Sequence, residues 1–169
     1  MAISLTARQQ KERAPLGFFD SVQPAPATPA PLTSTRLGQA LRRLEIPHEL
    51  EADGTPITYY PAGYLLYLLT PDRLTVRTTW RQSLPTSSLP HLSMFAHQWN
   101  QHRPYPTAYP AILGEDGQDF ALLPADFTLP VTAGATDEQI DLYLREASRS
   151  AQEFLTEVEG AFEPITEGE

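Results

Sequence analysis

Arg73-Leu74-Thr75-Val76-Arg77-Thr78-Thr79-Trp80-Arg81 alternates residue by residue. Leu74, Val76, Thr78 and Trp80 share one face, and Arg73, Thr75, Arg77, Thr79 and Arg81 share the other. Successive side chains of a strand point to opposite faces, so this period of two predicts a half-buried antiparallel strand over residues 73–81. Pro71-Asp72 turns the chain into it from an apolar strand predicted over 64–70, which Pro61-Ala62-Gly63 sets off from what precedes. Further upstream, residues 48–52 and 57–60 read as two extended runs joined at Asp53-Gly54, a strong hairpin signal.

Helical periods flank this block. Leu37, Ala40, Leu41 and Leu44 form one stripe over a helix predicted at 34–45, capped by Thr33 or Ser34 and stopped by Pro47. Leu92, Phe95, Ala96 and Trp99 mark a second helix over 89–101, ended by Pro104 and Pro106, with Asn100 as a capping residue. Two strands follow, over 107–113 and 119–123, joined near a second Asp-Gly pair, Asp116-Gly117. Pro124 and Pro130 bracket an expected loop. A long helix over 137–162 opens on Thr136 and Gln139, the spacing of a capping box. It carries an apolar stripe from Ile140 through Leu144, Ala151, Phe154 and Val158 to Phe162. Helix, three strands, helix, two strands, helix is an α+β order built on an antiparallel sheet of about five strands.

Outside this block, residues 1–32 read as a disordered, Pro-rich tail, and 164–169 as an acidic C-terminal tail. The run Gln23-Pro24-Ala25-Pro26-Ala27-Thr28-Pro29-Ala30-Pro31 is an extended spacer of about 25 Å, because proline fixes φ and removes amide donors. Before it stands an apolar cluster, Leu16-Gly17-Phe18-Phe19, followed by Asp20. A length of 169 residues suits one domain of ordinary size, here spanning 33–163. There is no cysteine, so thiolate metal sites, disulfides and a cysteine nucleophile are excluded. No stretch approaches the roughly 20 apolar residues of a membrane span, and no secretory leader is recognisable, so a cytoplasmic protein without membrane insertion is expected. The net charge of −9 argues against nucleic acid as a partner.

The chain resembles the YbjN-domain family, described as "putative bacterial sensory transduction regulator". The resemblance is carried by Leu37-x-x-Ala40-Leu41-x-x-Leu44-x-Ile46-Pro47 with Asp53-Gly54; by Leu74-x-Val76-Arg77-x-x-Trp80; by Trp99-Asn100 with Pro106 and Tyr109; by Asp116-Gly117; and by Gly134-x-Thr136-Asp137-Glu138-Gln139-Ile140. It covers about residues 33–163. It implies a fold similar to the type III secretion chaperones, a tendency to pair as a homodimer, and surfaces that hold partner segments. No agreed biochemical activity or catalytic residue comes with it.

The search for chemistry yields little. No phosphate-binding glycine loop, nucleophile elbow or zinc-protease helix signature occurs. His91 and His97 lie about 240° apart around the second helix. His91 and His102 share a face but stand about 16 Å apart along it, too far for one metal ion. Asp137, Glu138 and Asp141 suit the positive end of a helix without any catalytic role. Trp80, Trp99, Phe95 and Tyr109 fall at core-facing positions. The row Arg73, Arg77, Arg81 spans roughly 26 Å and suits carboxylates, unless the protein's own acids neutralise it. The expectation is a non-enzymatic, cofactor-free adaptor or chaperone-like regulatory module that binds a protein or peptide. The expected contacts are Arg73, Arg77, Arg81 and the tail residues Phe18 and Phe19, with the tail able to fold back over the arginine face. The alternative is a small-ligand domain or an enzyme without a recognisable motif. An exposed apolar patch would favour the first, and a buried cluster of shifted ionisable groups the second.

Overall fold

The computed structural model of the chain describes residues 27–115 and 117–166. Helix α1 spans Ser34–Arg43, capped by Thr33, whose hydroxyl accepts from Arg36 N at 3.2 Å. Four antiparallel strands follow: β1 Glu49–Leu50, β2 Pro56–Tyr60, β3 Gly63–Leu69 and β4 Arg73–Trp80. The Asp53-Gly54 turn closes β1 on β2 as the dipeptide predicts, with Thr55 N donating to the Asp53 carboxylate at 2.9 Å. After a two-residue strand β5, Leu84–Pro85, and a short 3-10 turn come α2 Leu89–His102, β6 Thr107–Ala108, β7 Ala111–Glu115, β8 Gln118–Leu122, β9 Pro124–Pro130 and α3 Asp137–Thr166.

The class is the expected one, α+β with three helices and antiparallel pairing. The described residues hold nine strands where about five were expected. The main sheet runs β1-β2-β3-β4-β9-β6, and β5-β8-β7 form a smaller one. The segment 124–130, expected as a loop, is a strand lying against β4, with Thr75 opposite Thr128 and Arg77 opposite Asp126. Its prolines stand at its first and last residues, where a missing amide costs a strand least. The run expected as one strand over 107–113 divides at Tyr109-Pro110. Its first part joins the main sheet and its second the small one, consistent with Pro110 having no amide to continue a ladder.

One face of the main sheet is packed by helices. Leu65, Tyr67, Leu74, Val76 and Trp80 bury against the stripe of α3, where Ile140, Leu144, Phe154 and Val158 are fully buried. Each such side chain contributes about 1.5–3 kcal/mol of transfer free energy. The capping box forms as read: Thr136 N donates to Gln139 Oε1 at 2.9 Å, and Gln139 N to Thr136 Oγ1 at 3.2 Å. Helix α2 leans on α3 through Phe95 and Trp99, whose rings meet Phe154 at 6.1 and 5.2 Å. Gly63 lets β3 pass under this layer. A Cβ there would lie 2.2 Å from the Thr79 carbonyl oxygen and 2.7 Å from Leu155.

Asn100 does not cap α2. Its side-chain amide donates to Ala108 O at 2.8 Å and accepts from Ala108 N at 2.9 Å, while Trp99 Nε1 donates to Pro106 O at 2.7 Å. The Trp99-Asn100…Pro106 signature is thus a clamp holding the connection from α2 to β6.

Of the residues read as the N-terminal tail, 1–26 lie outside the described residues. Ala30 forms an antiparallel bridge with Ala135, and Leu32 packs against the core.

Candidate partner-binding surface

Strand register decides what the sheet shows on the side away from α3. Tyr59 sits opposite Tyr64, and Ile57 opposite Leu66. Leu66 lies opposite Arg77, which lies opposite Asp126. Leu68 lies opposite Thr75, which lies opposite Thr128. Ile57, Tyr59, Tyr64, Leu66 and Leu68 therefore share one face and line a shallow groove of about 630 Å³, rimmed at one end by Glu51 and Asp53 of the β1–β2 turn. Tyr59 is 59% exposed, with its ring 6.5 Å from that of Tyr64. Its hydroxyl titrates above the usual tyrosine range, through partial desolvation and the charges of Glu51 and Glu49.

The arginines that the alternation places on this face are not bare. Arg77 makes two parallel bonds to Asp126, each 2.8 Å, and Tyr109 Oη adds a third at 3.1 Å. The carboxylate keeps the Arg77 guanidinium more firmly protonated than usual. Burial, and next the Asp126 charge, pushes the Tyr109 hydroxyl up. Arg73 stands beside Asp72 at 4.0 Å. Arg81, expected to extend the row, lies past the strand's end and reaches Glu159 of α3 at 2.9 Å, a carboxylate that also accepts from Trp80 Nε1. The row thus holds two arginines rather than three, and each of the three has an acid of this chain beside it. Thr75 and Thr79, which share the arginine face, are buried, Thr75 with its hydroxyl 3.1 Å from that of Thr128. Phe18 and Phe19 lie outside the described residues.

Trp80 and Trp99 are core residues, 2% and 4% exposed, rather than members of a surface patch. His91, His97 and His102 are exposed on α2. His102 Nδ1 bonds Gln98 O, and His97 meets Gln101. Among the described residues, no three His, Cys, Asp or Glu side chains converge in the manner of a metal site, and no helix is long and apolar enough to cross a membrane.

Arg36 was not legible as important. Its guanidinium donates to Ala30 O at 2.7 Å, Pro31 O at 3.0 Å and Ala135 O at 3.0 Å, and pairs with Asp137. The bond to Arg36 holds the Asp137 carboxyl below its usual range. Nothing in the helical period distinguishes Arg36 from the exposed Arg42.

The layout defines a class: a small α+β domain whose helices back one side of an antiparallel sheet and whose other side carries partly exposed apolar side chains. The chain belongs to the YbjN family, described as "putative bacterial sensory transduction regulator", whose model matches residues 33–160. A crystal structure of YbjN from E. coli, described as a putative transcription regulator, superimposes with a TM-score of 0.64. It is 13% identical and covers 80% of this chain and 97% of its own. That likeness shows the fold. No curated protein matches the chain.

Proposed function

We propose that this protein is a non-enzymatic, cytoplasmic regulatory module that binds an apolar segment of a protein partner on the open face of its main sheet, and that it works as a homodimer. The observation that carries the reading is the row Tyr59, Tyr64, Leu66 and Leu68, apolar side chains on a sheet face that α3 does not cover. Contiguous apolar surface of this kind marks interaction sites. The ionisable groups displaced furthest from their usual range have structural causes: the bond to Asp126 for Arg77, and burial beneath β4 and β9 for Tyr143. Arg73, with its side chain 58% exposed, is the stripe arginine most open to a partner's carboxylates, since Arg81 turns to Glu159 of α3. Arg77 holds the face together through Asp126. Membership of a family of regulators supports a partner-dependent role.

The test is capture from native lysate, read by mass spectrometry, with the full chain, the Tyr59→Glu variant and the Met94→Glu variant. Met94 is 57% exposed on α2 and serves as a control. The reading expects proteins that the wild type and Met94→Glu retain and Tyr59→Glu loses. Identical sets from all three would remove the sheet face as the site.

A further inference from the structure

A second apolar groove lies on the opposite side of β9, bounded by that strand and the first turns of α3. It has a volume of about 380 Å³ and is lined by Phe127, Leu129, Gly134, Leu142 and Tyr143 among others. Leu142 is 60% exposed, whereas Ile140, Tyr143, Leu144, Phe154, Leu155 and Val158 of the same helix are buried. Phe127 lies between Tyr105 and Tyr143, tilted against the first and edge-on to the second, with ring centroids 4.7 and 5.0 Å away. Strand β6 pairs with β9 at Ala125 and Asp126 alone, so among the described residues 127–130 have no strand neighbour on that side. An open strand edge beside an apolar groove is the arrangement that receives an extended peptide, the edge bonding its main chain and the groove its side chains.

The chain's own N-terminal segment is delivered to this place. Ala30 bridges Ala135, at the mouth of the groove, with Ala30 N donating to Ala135 O at 3.2 Å and Ala135 N to Ala30 O at 2.9 Å. The approach is close enough to require Gly134, where φ is +78° and a Cβ would lie 2.7 Å from the Ala30 carbonyl. Arg36 locks the same point through the carbonyls of Ala30, Pro31 and Ala135. The bridge is antiparallel, so the chain upstream of Ala30 heads toward the start of α3. From Ala27 back to Phe19 is eight residues, a reach of about 25 Å at polyproline spacing. From the start of α3 to Tyr143 the helix rises about 9 Å. The cluster Leu16-Gly17-Phe18-Phe19 therefore reaches the groove with length to spare for the reversal.

We infer that Leu16–Phe19 docks in cis in the groove between β9 and α3, as a built-in ligand. The tether holds it at an effective concentration on the order of millimolar, so a contact too weak for two separate molecules is populated. This contact is distinct from the sheet face proposed for the partner, and it places the tail on the helix side rather than over the arginines.

The absence of cysteine makes a clean label possible. A nitroxide on Ser21→Cys of the full chain, read by paramagnetic broadening of backbone amides, should erase the signals of Leu129, Leu142 and Tyr143 and spare those of Tyr59 and Leu66. Phe18→Ser combined with Phe19→Ser, in the same labelled chain, should restore them. Broadening on Tyr59 and Leu66 instead, or none on either surface, would overturn the inference. So would broadening that appears only when labelled chains are mixed with separate isotope-enriched chains, since the contact would then be between copies.

Discussion

Tyr143 is 7% exposed, and its hydroxyl lies beneath the β4–β9 pair. It donates to the Phe127 carbonyl at 2.5 Å, has the Leu74 carbonyl within 3.0 Å and accepts from Val76 N at 3.3 Å. Burial raises its pKa above the ordinary tyrosine range, and burial also raises that of Tyr67. Because the unfolded chain loses these protons first, the stabilisation is whole below about pH 10 and declines as pH rises from there toward the folded value. Urea midpoints followed from about pH 9 to pH 11 should fall for the wild type and fall less for Tyr143→Phe. Asp126 holds Arg77 and Tyr109 together, so Asp126→Ala should cost about 1–3 kcal/mol by leaving a guanidinium and a phenol short of an acceptor. Glu45 follows α1 with φ of 55°, a left-handed conformation that side chains resist. Glu45→Gly should raise stability by about 1 kcal/mol, seen as a higher urea midpoint at constant slope.

At the scale of elements, α3 is where period and structure agree most closely. The residues read as its stripe are all buried, and both halves of the capping box are made. Leu144, with no exposure, should cost about 2–5 kcal/mol as Leu144→Ala. Glu157→Ala should change stability by no more than about 1 kcal/mol, because its bond to Arg103 is an exposed pair. Equal effects in urea unfolding would contradict the facing of the helix. The strands agree less well, for a physical reason. Pro124-Ala125-Asp126-Phe127-Thr128-Leu129-Pro130 does alternate, with Ala125, Phe127 and Leu129 against Asp126 and Thr128, but the proline at each end makes it read locally as a bracketed loop. It becomes a strand because Arg77 and Thr75 of β4 lie opposite Asp126 and Thr128.

For the molecule as a whole, the proposed homodimer predicts twice the 18.8 kDa chain mass by light scattering at micromolar concentration. A monomer mass at every concentration would remove that part of the reading. Together the two proposals divide the surface, assigning the open sheet face to a partner and the helix-side groove to the chain's own apolar segment.

Local pattern in this chain was sufficient for the three helices, for β2 to β4 and for the α+β class. Each of these rests on periods of side chains a few residues apart, on a cap or on an Asp-Gly turn. The family was also legible, through the spacing of Trp80, Trp99, Asn100 and the Thr136 capping box. What tertiary structure decided is whatever depends on residues far apart in sequence meeting in space. Asp126 neutralises Arg77 across 49 positions, and Glu159 neutralises Arg81 across 78. Arg36 ties the N-terminal segment to Ala135 across 99. A row of arginines in a strand is the same sequence whether its charges are free or paired. Only the pairing of β9 with β4 and the packing of α3 across the sheet distinguish the two, because the carboxylates that decide it arrive from other elements.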